Sequence, residues 1–185
     1  MPSHAVTPKR ARIVFAGRIF TVETSQVQMA TGRTVAMEVV RHRGSVVLVP
    51  QPDPAHVILI RQYRFVINRT IWELPAGSLE QGEAPHRAAR RECEEEIGLR
   101  PGRIERLGVY FPTPGFCDER MVFYACRDLS RPAKPAAQDE DEQIEPRTFT
   151  LRQAWALVRA GKIVDMKTVL GLAMVSGKVP LAATK

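Results

Sequence analysis

Three cysteines in 185 residues, no long apolar run and no internal repeat exclude several classes of protein at once. Cys93, Cys117 and Cys126 are odd in number and follow neither a disulfide framework nor a zinc-site spacing, which favours a reducing compartment. The longest apolar stretches, such as Ser45 to Pro50, have the length of a strand and fall far short of a membrane span. No signal-peptide pattern opens the chain, so a cytoplasmic location is expected and no membrane role. His4, His42, His56 and His86 show no metal spacing and read as surface or loop residues, and Cys117 has no paired histidine to make it a nucleophile.

What remains is an ordinary globular composition, 44% hydrophobic and 25% charged, on a chain long enough for one sizeable core. The net charge of +7 invites a nucleic-acid reading. However, arginine supplies 21 of the 27 basic residues and is spread along the chain, and no nucleic-acid motif accompanies it. A positive surface also attracts a small anionic substrate, so nucleic acid is not the expected partner.

The pattern along the chain predicts a polar, basic, disordered tail over 1–11. An N-terminal β region over 12–44 follows, with strands at Ile19–Val22, Gln26–Met29 and Thr34–Val40 and a turn at Thr31-Gly32. The main domain, 45–180, opens with two more buried strands, Ser45–Val49 and Val57–Tyr63, and Ile71–Leu74 leads into a glycine-bearing loop and a helix. Strands at Ile104–Phe111 and Met121–Arg127 come next, then a Pro-rich connector over Ser130–Gln138 and the acid run Asp139-Glu-Asp-Glu142. Thr150 and Gln153 form a capping box for a helix through Ala160 stopped by Gly161, and a last helix runs from Met166 to Val175. Mixed strands with helices on both faces predict an α/β fold, an α/β/α sandwich with an added N-terminal antiparallel sheet.

The chemistry concentrates between Gly77 and Leu99. Glu92, Glu95 and Glu96 stand at i, i+3 and i+4 and share one helix face, where like charges repel unless a cation sits among them. Hard oxygen ligands in this arrangement suit Mg2+, with Mn2+ as an alternative, and such ions also bind substrate phosphates. Ala89, Cys93 and Ile97 form an i, i+4 apolar stripe beside them, so the carboxylate face lies at the edge of the core. Pro85 suits the first helical turn and Gly98 the C-terminal cap. Gly77 and Gly82 let the loop turn tightly and approach a ligand, and Arg91 can hold the carboxylates as a bidentate partner.

The whole segment, Gly77-x5-Glu83-x7-Arg91-Glu92-Cys93-x-Glu95-Glu96-x-Gly98-Leu99, resembles the Nudix box at all seven fixed positions. Chance agreement at seven positions is on the order of 10^-8 from average residue usage. Cys93 departs slightly, standing where an aliphatic residue is commoner. The resemblance implies a Nudix hydrolase with a Nudix-type α/β/α sandwich and mixed sheet.

Beyond the box, an ordered series of pieces resembles the ADP-ribose pyrophosphatase branch from about Gly17 to Leu172. The pieces are Gly17-Arg-Ile-Phe20, Met37-Glu38-Val-Val40, Arg61-Gln-Tyr-Arg64, Trp72-Glu-Leu-Pro-Ala-Gly77, Pro112-Thr-Pro114-Gly115, Asp139-Glu-Asp-Glu142 and Gly161-Lys-Ile-Val-Asp165. The resemblance implies Mg2+-dependent hydrolysis of the pyrophosphate of ADP-ribose or a related ADP-sugar to AMP and a sugar phosphate. It implies metal ligation by the backbone carbonyl of Ala76, by Glu92 and Glu96, and by Glu142 of the acid loop. Glu140 would be the base, although Glu140 and Glu142 can exchange roles, and Glu95 and Arg91 complete the catalytic set. Arg64, Ser78, Thr113, Pro114, Gly115 and Glu119 match substrate-side positions. Glu38 and Arg41 match a segment that reaches the partner subunit's site, so a homodimer is implied. The branch often stacks adenine on aromatic rings. Phe15 and Phe20 are the nearby candidates, though both read more simply as core residues, and neither Trp72 nor Trp155 is suitably placed. Another nucleoside diphosphate (GDP-mannose, NADH, a flavin dinucleotide) is the alternative substrate, and a non-catalytic nucleotide sensor the alternative role.

Overall fold

A computed structural model describes residues 10–134 and 144–179, which fall into two compact units. The expected tail therefore lies outside the described residues up to position 9, and so does the acid run carrying Glu140 and Glu142.

One unit comprises Met1–Gly44 with Phe111–Arg120. Its sheet is an antiparallel meander of β1 (Arg10–Ala16), β2 (Phe20–Gln28) and β3 (Thr34–His42) in the order β1-β2-β3. The expected turn closes the β2–β3 hairpin, with Gly32 at φ +80° and its N–H donating to the Met29 carbonyl at 2.9 Å. Two results differ from the sequence pattern. β1 appears where no strand was read, and β2 is one nine-residue strand rather than two short ones. The polar run Glu23-Thr24-Ser25 interrupts the apolar pattern but not the ladder, because it pairs with β1 on one side and β3 on the other. Residues 111–120 join this unit through a parallel bridge from Val40 to Cys117. Around it the Val40 N–H donates to the Phe116 carbonyl at 2.7 Å and the Asp118 N–H to the Val40 carbonyl at 3.1 Å.

The second unit, Ser45–Tyr110 with Met121–Lys185, contains β4 (Ser45–Pro50), β5 (His56–Arg64), β6 (Arg69–Glu73), β7 (Ala76–Ser78), β8 (Arg100–Tyr110), β9 (Met121–Ser130) and β10 (Glu145–Thr150). Its helices are α1 (Pro85–Ile97), α2 (Leu151–Arg159) and α3 (Met166–Val175). One sheet runs β7-β4-β9-β8 and is mixed, since β4 and β9 are parallel while the other pairs are antiparallel. The other is the antiparallel trio β10-β5-β6.

Strand alternation divides the core in two. Val46 and Leu48 of β4, Ile58 and Ile60 of β5, and Val122 and Tyr124 of β9 pack with Ala88, Ala89, Cys93 and Ile97 of α1. Val47, Val49, Val57, Leu59, Phe123 and Ala125 point the other way, onto Ala154 of α2 and Leu172 and Met174 of α3. Because both faces are covered, β4 is buried at all six positions, which explains its apolar run Val46–Val49. This is the expected α/β/α sandwich. β10 escaped the sequence reading because it is polar and mostly exposed; its pairing with β5, Glu145 opposite Arg61 to Thr150 opposite His56, makes it a strand. Among the described residues no helix is long and apolar enough to cross a membrane.

Candidate active site

α1 starts with Pro85 in its first turn and ends at Gly98, whose φ of +69° is the left-handed cap conformation. The helix is therefore fixed in register, and its apolar stripe Ala89, Cys93, Ile97 is buried against the sheet. That burial brings Glu92 and Glu96 to the core edge with only 8% and 4% of their surface exposed. They lie against β7. The Ala76 N–H donates to Glu96 Oε2 at 2.9 Å, and a Cβ placed on Gly77 would stand 1.8 Å from Glu92 Oε1. Gly77 is thus required not for an unusual backbone angle but because the Glu92 carboxylate occupies the space a side chain would fill.

Arg91 organises the group. Its Nη1 donates to Glu92 Oε1 at 2.7 Å and Glu95 Oε2 at 2.8 Å, its Nε and Nη2 reach Glu83 at 3.1 and 3.0 Å, and Nη2 also reaches the Ser78 carbonyl at 3.3 Å. The Arg91 hydrogen bonds hold the Glu83 carboxyl below its ordinary range, with help from the Glu80 N–H, while burial opposes them. Glu83 is in turn the largest cause of the raised pKa of Arg91, ahead of Glu92 and Glu95. Glu83 anchors the arginine that holds Glu92 and Glu95, a role its place in the sequence does not reveal. Glu80, 3.9 Å from Arg91 Nε, brings the carboxylates of the cluster to five against one guanidinium, so the site carries excess negative charge.

The donor chemistry fits a hard divalent cation: two buried carboxylates one helical turn apart, beside an exposed-edge strand backbone. Among the described residues no three His, Cys, Asp or Glu side chains converge as a complete cage. Mg2+ usually keeps waters and takes substrate phosphate oxygens, so an all-protein cage is not what this ion requires.

A second polar cluster lies at the β5–β6 pair. Arg64, at the end of β5, donates from Nε and Nη2 to the two oxygens of Glu73 at 2.7 and 2.9 Å. Glu73 also accepts from Lys167 of α3, and Lys167 reaches Asp165 Oδ2 at 3.0 Å. Asp165 caps α3 by accepting from the Thr168 N–H at 3.0 Å, and Thr168 Oγ1 accepts from the Leu74 N–H at 2.7 Å. Neither Glu73 nor Lys167 stood out in the sequence, where a lone glutamate among Ile71, Trp72 and Leu74 carries no periodic signal.

The remaining substrate-side candidates belong to the other unit. Glu38 and Arg41 are exposed on β3; Thr113, Pro114 and Gly115 lie in an exposed turn where the Thr113 carbonyl accepts from the Cys117 N–H at 3.0 Å. Glu119 approaches His42 Nδ1 at 3.9 Å, and Arg41 bridges Glu23 at 2.8 Å and Asp118 at 3.1 Å, so Asp118 is an organiser the sequence reading missed. Phe15 and Phe20 correct an expectation. They are 52% and 41% exposed, with ring centroids 5.8 Å apart, rather than core residues, because the three-stranded sheet has too few covering side chains to bury them. Trp72 packs edge-on to Phe149, and Trp155 Nε1 donates to Ser176 Oγ at 3.1 Å. None of the three cysteines forms a disulfide, and a hydrogen bond with Cys126, reinforced by burial, drives the Cys93 thiol pKa upward.

The family model for the NUDIX domain matches residues 40–168, which includes the whole of β7 and α1. The chain belongs to the Nudix family. It is a Nudix hydrolase by that membership, and its box is the carboxylate helix described above. The chain is 33% identical to the ADP-ribose pyrophosphatase of Bacillus subtilis (strain 168), covering 93% of each chain. It is 35% identical to a methanol dehydrogenase activator of Bacillus methanolicus, covering 86% of each. Among solved structures, the crystal structure of an ADP compounds hydrolase superposes with a TM-score of 0.81 at 24% identity, covering 94% of this chain and 93% of that one, a likeness of fold.

Proposed function

We propose that this Nudix hydrolase cleaves the pyrophosphate bond of ADP-ribose or a related ADP-sugar, adding water across the P–O–P linkage to give AMP and a sugar phosphate. The observation that carries this reading is the buried Glu92–Glu96 pair held against Ala76 and Gly77, with Glu92 bonded to Arg91. Glu92, Glu96, the Ala76 carbonyl and Glu142 would hold Mg2+, or Mn2+ in its place. When bound, the ion supplies charge neutralisation at the diphosphate and a lowered pKa for a bound water. The chain's own residues do the rest. Glu140, or Glu142 with the roles exchanged, takes the proton from the attacking water. Glu83 and Arg91 hold Glu92 and Glu95 against their mutual repulsion. The guanidinium of Arg64 grips the diphosphate or ribose.

Ser78, Thr113, Pro114, Gly115 and Glu119 are assigned to the ribose side, and Glu38 and Arg41 to the adenine side of a second subunit's site. A homodimer in which N-terminal sheets are exchanged accounts for the apolar residues that β1 and β2 leave exposed, Ile13 at 59%, Phe15 and Phe20 among them. The protein would work in the cytoplasm.

The test is product identity after incubating purified protein with ADP-ribose and Mg2+ in 18O-labelled water. AMP and ribose 5-phosphate support the proposal, and the labelled product names the phosphorus attacked. No turnover of ADP-ribose, with turnover of GDP-mannose, NADH or a flavin dinucleotide, moves the substrate assignment. Inactivity across the whole panel overturns hydrolysis in favour of a nucleotide sensor.

A further inference from the structure

We propose that Glu73 is a positioning residue that fixes the Arg64 guanidinium in the orientation that receives substrate, with Lys167 and Asp165 locking Glu73 in turn. The inference rests on the reading of Arg64 as a substrate contact.

Glu73 lies at the end of β6 and is 1% exposed. A carboxylate that deep is tolerated only when its lone pairs are taken up by well-placed cationic donors. Here Oε1 accepts from Arg64 Nε, and Oε2 accepts from both Arg64 Nη2 and Lys167 Nζ. The sheet register explains why this pairing constrains the arginine. Glu73 stands opposite Ile60, whereas Arg64 stands opposite Arg69, so the Arg64 side chain runs back along its own strand to reach the carboxylate. The side-on fork, through Nε and one Nη, fixes both the plane of the guanidinium and its rotation about the side-chain axis.

Arg100 and Arg91 make comparable forks to Glu94 and Glu83, each 13% exposed, but several ion pairs among the described residues lack that constraint. Arg61 and Arg147 meet Glu145, which is 53% exposed, and Arg103 meets Glu105 at 45%. Their partners can swing in solvent; that of Arg64 cannot. Lys167 is itself only 12% exposed and is held by Asp165, which accepts from the Thr168 N–H and hydroxyl. Thr168 accepts from the N–H of Leu74, the residue after Glu73. The start of α3 is thus joined to Leu74, just past the end of β6 and two residues before Ala76, where the strand β7 on which Glu96 and Glu92 rest begins. Arg64 keeps 39% of its side chain exposed despite the buried fork, so it presents a fixed cation to solvent.

The test is a double-mutant cycle read by calorimetric binding of ADP-ribose with a chelator present, so that no turnover intervenes, alongside KM and kcat with Mg2+. Arg64→Ala and Glu73→Gln should each weaken binding and raise KM by roughly tenfold, while Glu73→Gln leaves kcat within about twofold. In the Arg64→Ala background, Glu73→Gln should add less than about a twofold further loss. Because Glu73→Gln leaves Lys167 under-paired, the charge-balanced Glu73→Gln/Lys167→Met variant provides the same binding readout in a neutral pocket and should also bind roughly tenfold more weakly. Glu73 is merely structural if its substitution lowers the melting temperature with affinity and KM unchanged. It acts by another route if its full effect persists in the Arg64→Ala background. Either result overturns the proposal. Unchanged affinity and KM in Arg64→Ala removes Arg64 from the substrate contacts and the proposal with it, and absence of both binding and Mg2+-dependent turnover of ADP-ribose by the unaltered protein overturns the substrate reading as well.

Discussion

Substituting Gly77 by alanine separates the stability of this protein from its activity. The new Cβ would stand 1.8 Å from Glu92 Oε1, 1.9 Å from its Cδ and 2.4 Å from Oε2. Ordinary van der Waals contact begins at 3.4 Å, so the carboxylate retreats by about 1.6 Å, the difference between the two distances. The obstructing atoms are the far end of a flexible side chain, and the backbone angle at Gly77 is one that alanine adopts freely. The cost to stability should therefore sit near the low end of overpacking, about 1 kcal/mol. The cost to chemistry is larger. Displacement breaks the 2.7 Å bond from Arg91 and moves one of the two buried carboxylates off its strand. A misplacement of about 1 Å can cost 10^2-fold in rate, so kcat should fall by about 10^2-fold or more, equivalent to about 2.7 kcal/mol of transition-state stabilisation. Gly161→Ala is the control: φ is +64° with no atom within 4 Å of the added Cβ, so strain of about 1 kcal/mol should appear without loss of turnover. The assay is ADP-ribose hydrolysis with Mg2+ beside thermal melting. A folded Gly77→Ala protein with kcat within a few-fold of the unaltered enzyme would refute the claim that the seat of Glu92 matters.

Glu96→Gln should keep its fold, since the amide oxygen can still accept from the Ala76 N–H, yet lose turnover by orders of magnitude; near-normal Mg2+-dependent rates would remove Glu96 from the metal ligands. Thr168→Val leaves the buried Leu74 N–H without its acceptor, a loss of about 1–3 kcal/mol that melting should register as a drop of several degrees. Glu83 has its pKa lowered in the folded state, so its pairing stabilises the protein above the ordinary carboxyl pKa and ceases to do so as pH falls through the folded value. Glu83→Gln should accordingly melt below the unaltered protein at pH 7, with the gap closing below about pH 4.5; a gap that is constant with pH would assign the loss to packing instead.

The spacing Gly77-x5-Glu83-x7-Arg91-Glu92 and the two later glutamates determined, without any coordinates, the family, the carboxylate face and the ends of α1. Proline in the first turn, a left-handed glycine at the end and a 3.6-residue apolar stripe all act within a few residues of one another. The Thr150–Gln153 capping box and the bounds of α3 were legible for the same reason. Local order failed where a strand owes its existence to a distant partner. β10 is nearly featureless until β5, some ninety residues earlier, supplies its hydrogen bonds, and β2 bridges its polar middle only because two neighbours hold it. The tertiary structure alone decided that Gly77 must be glycine because Glu92 lies over it, that Glu83 anchors Arg91, and that Glu73 is buried between Arg64 and Lys167. Each depends on which side chain arrives from another element, and that is set by the packing of the whole sandwich rather than by any segment of it.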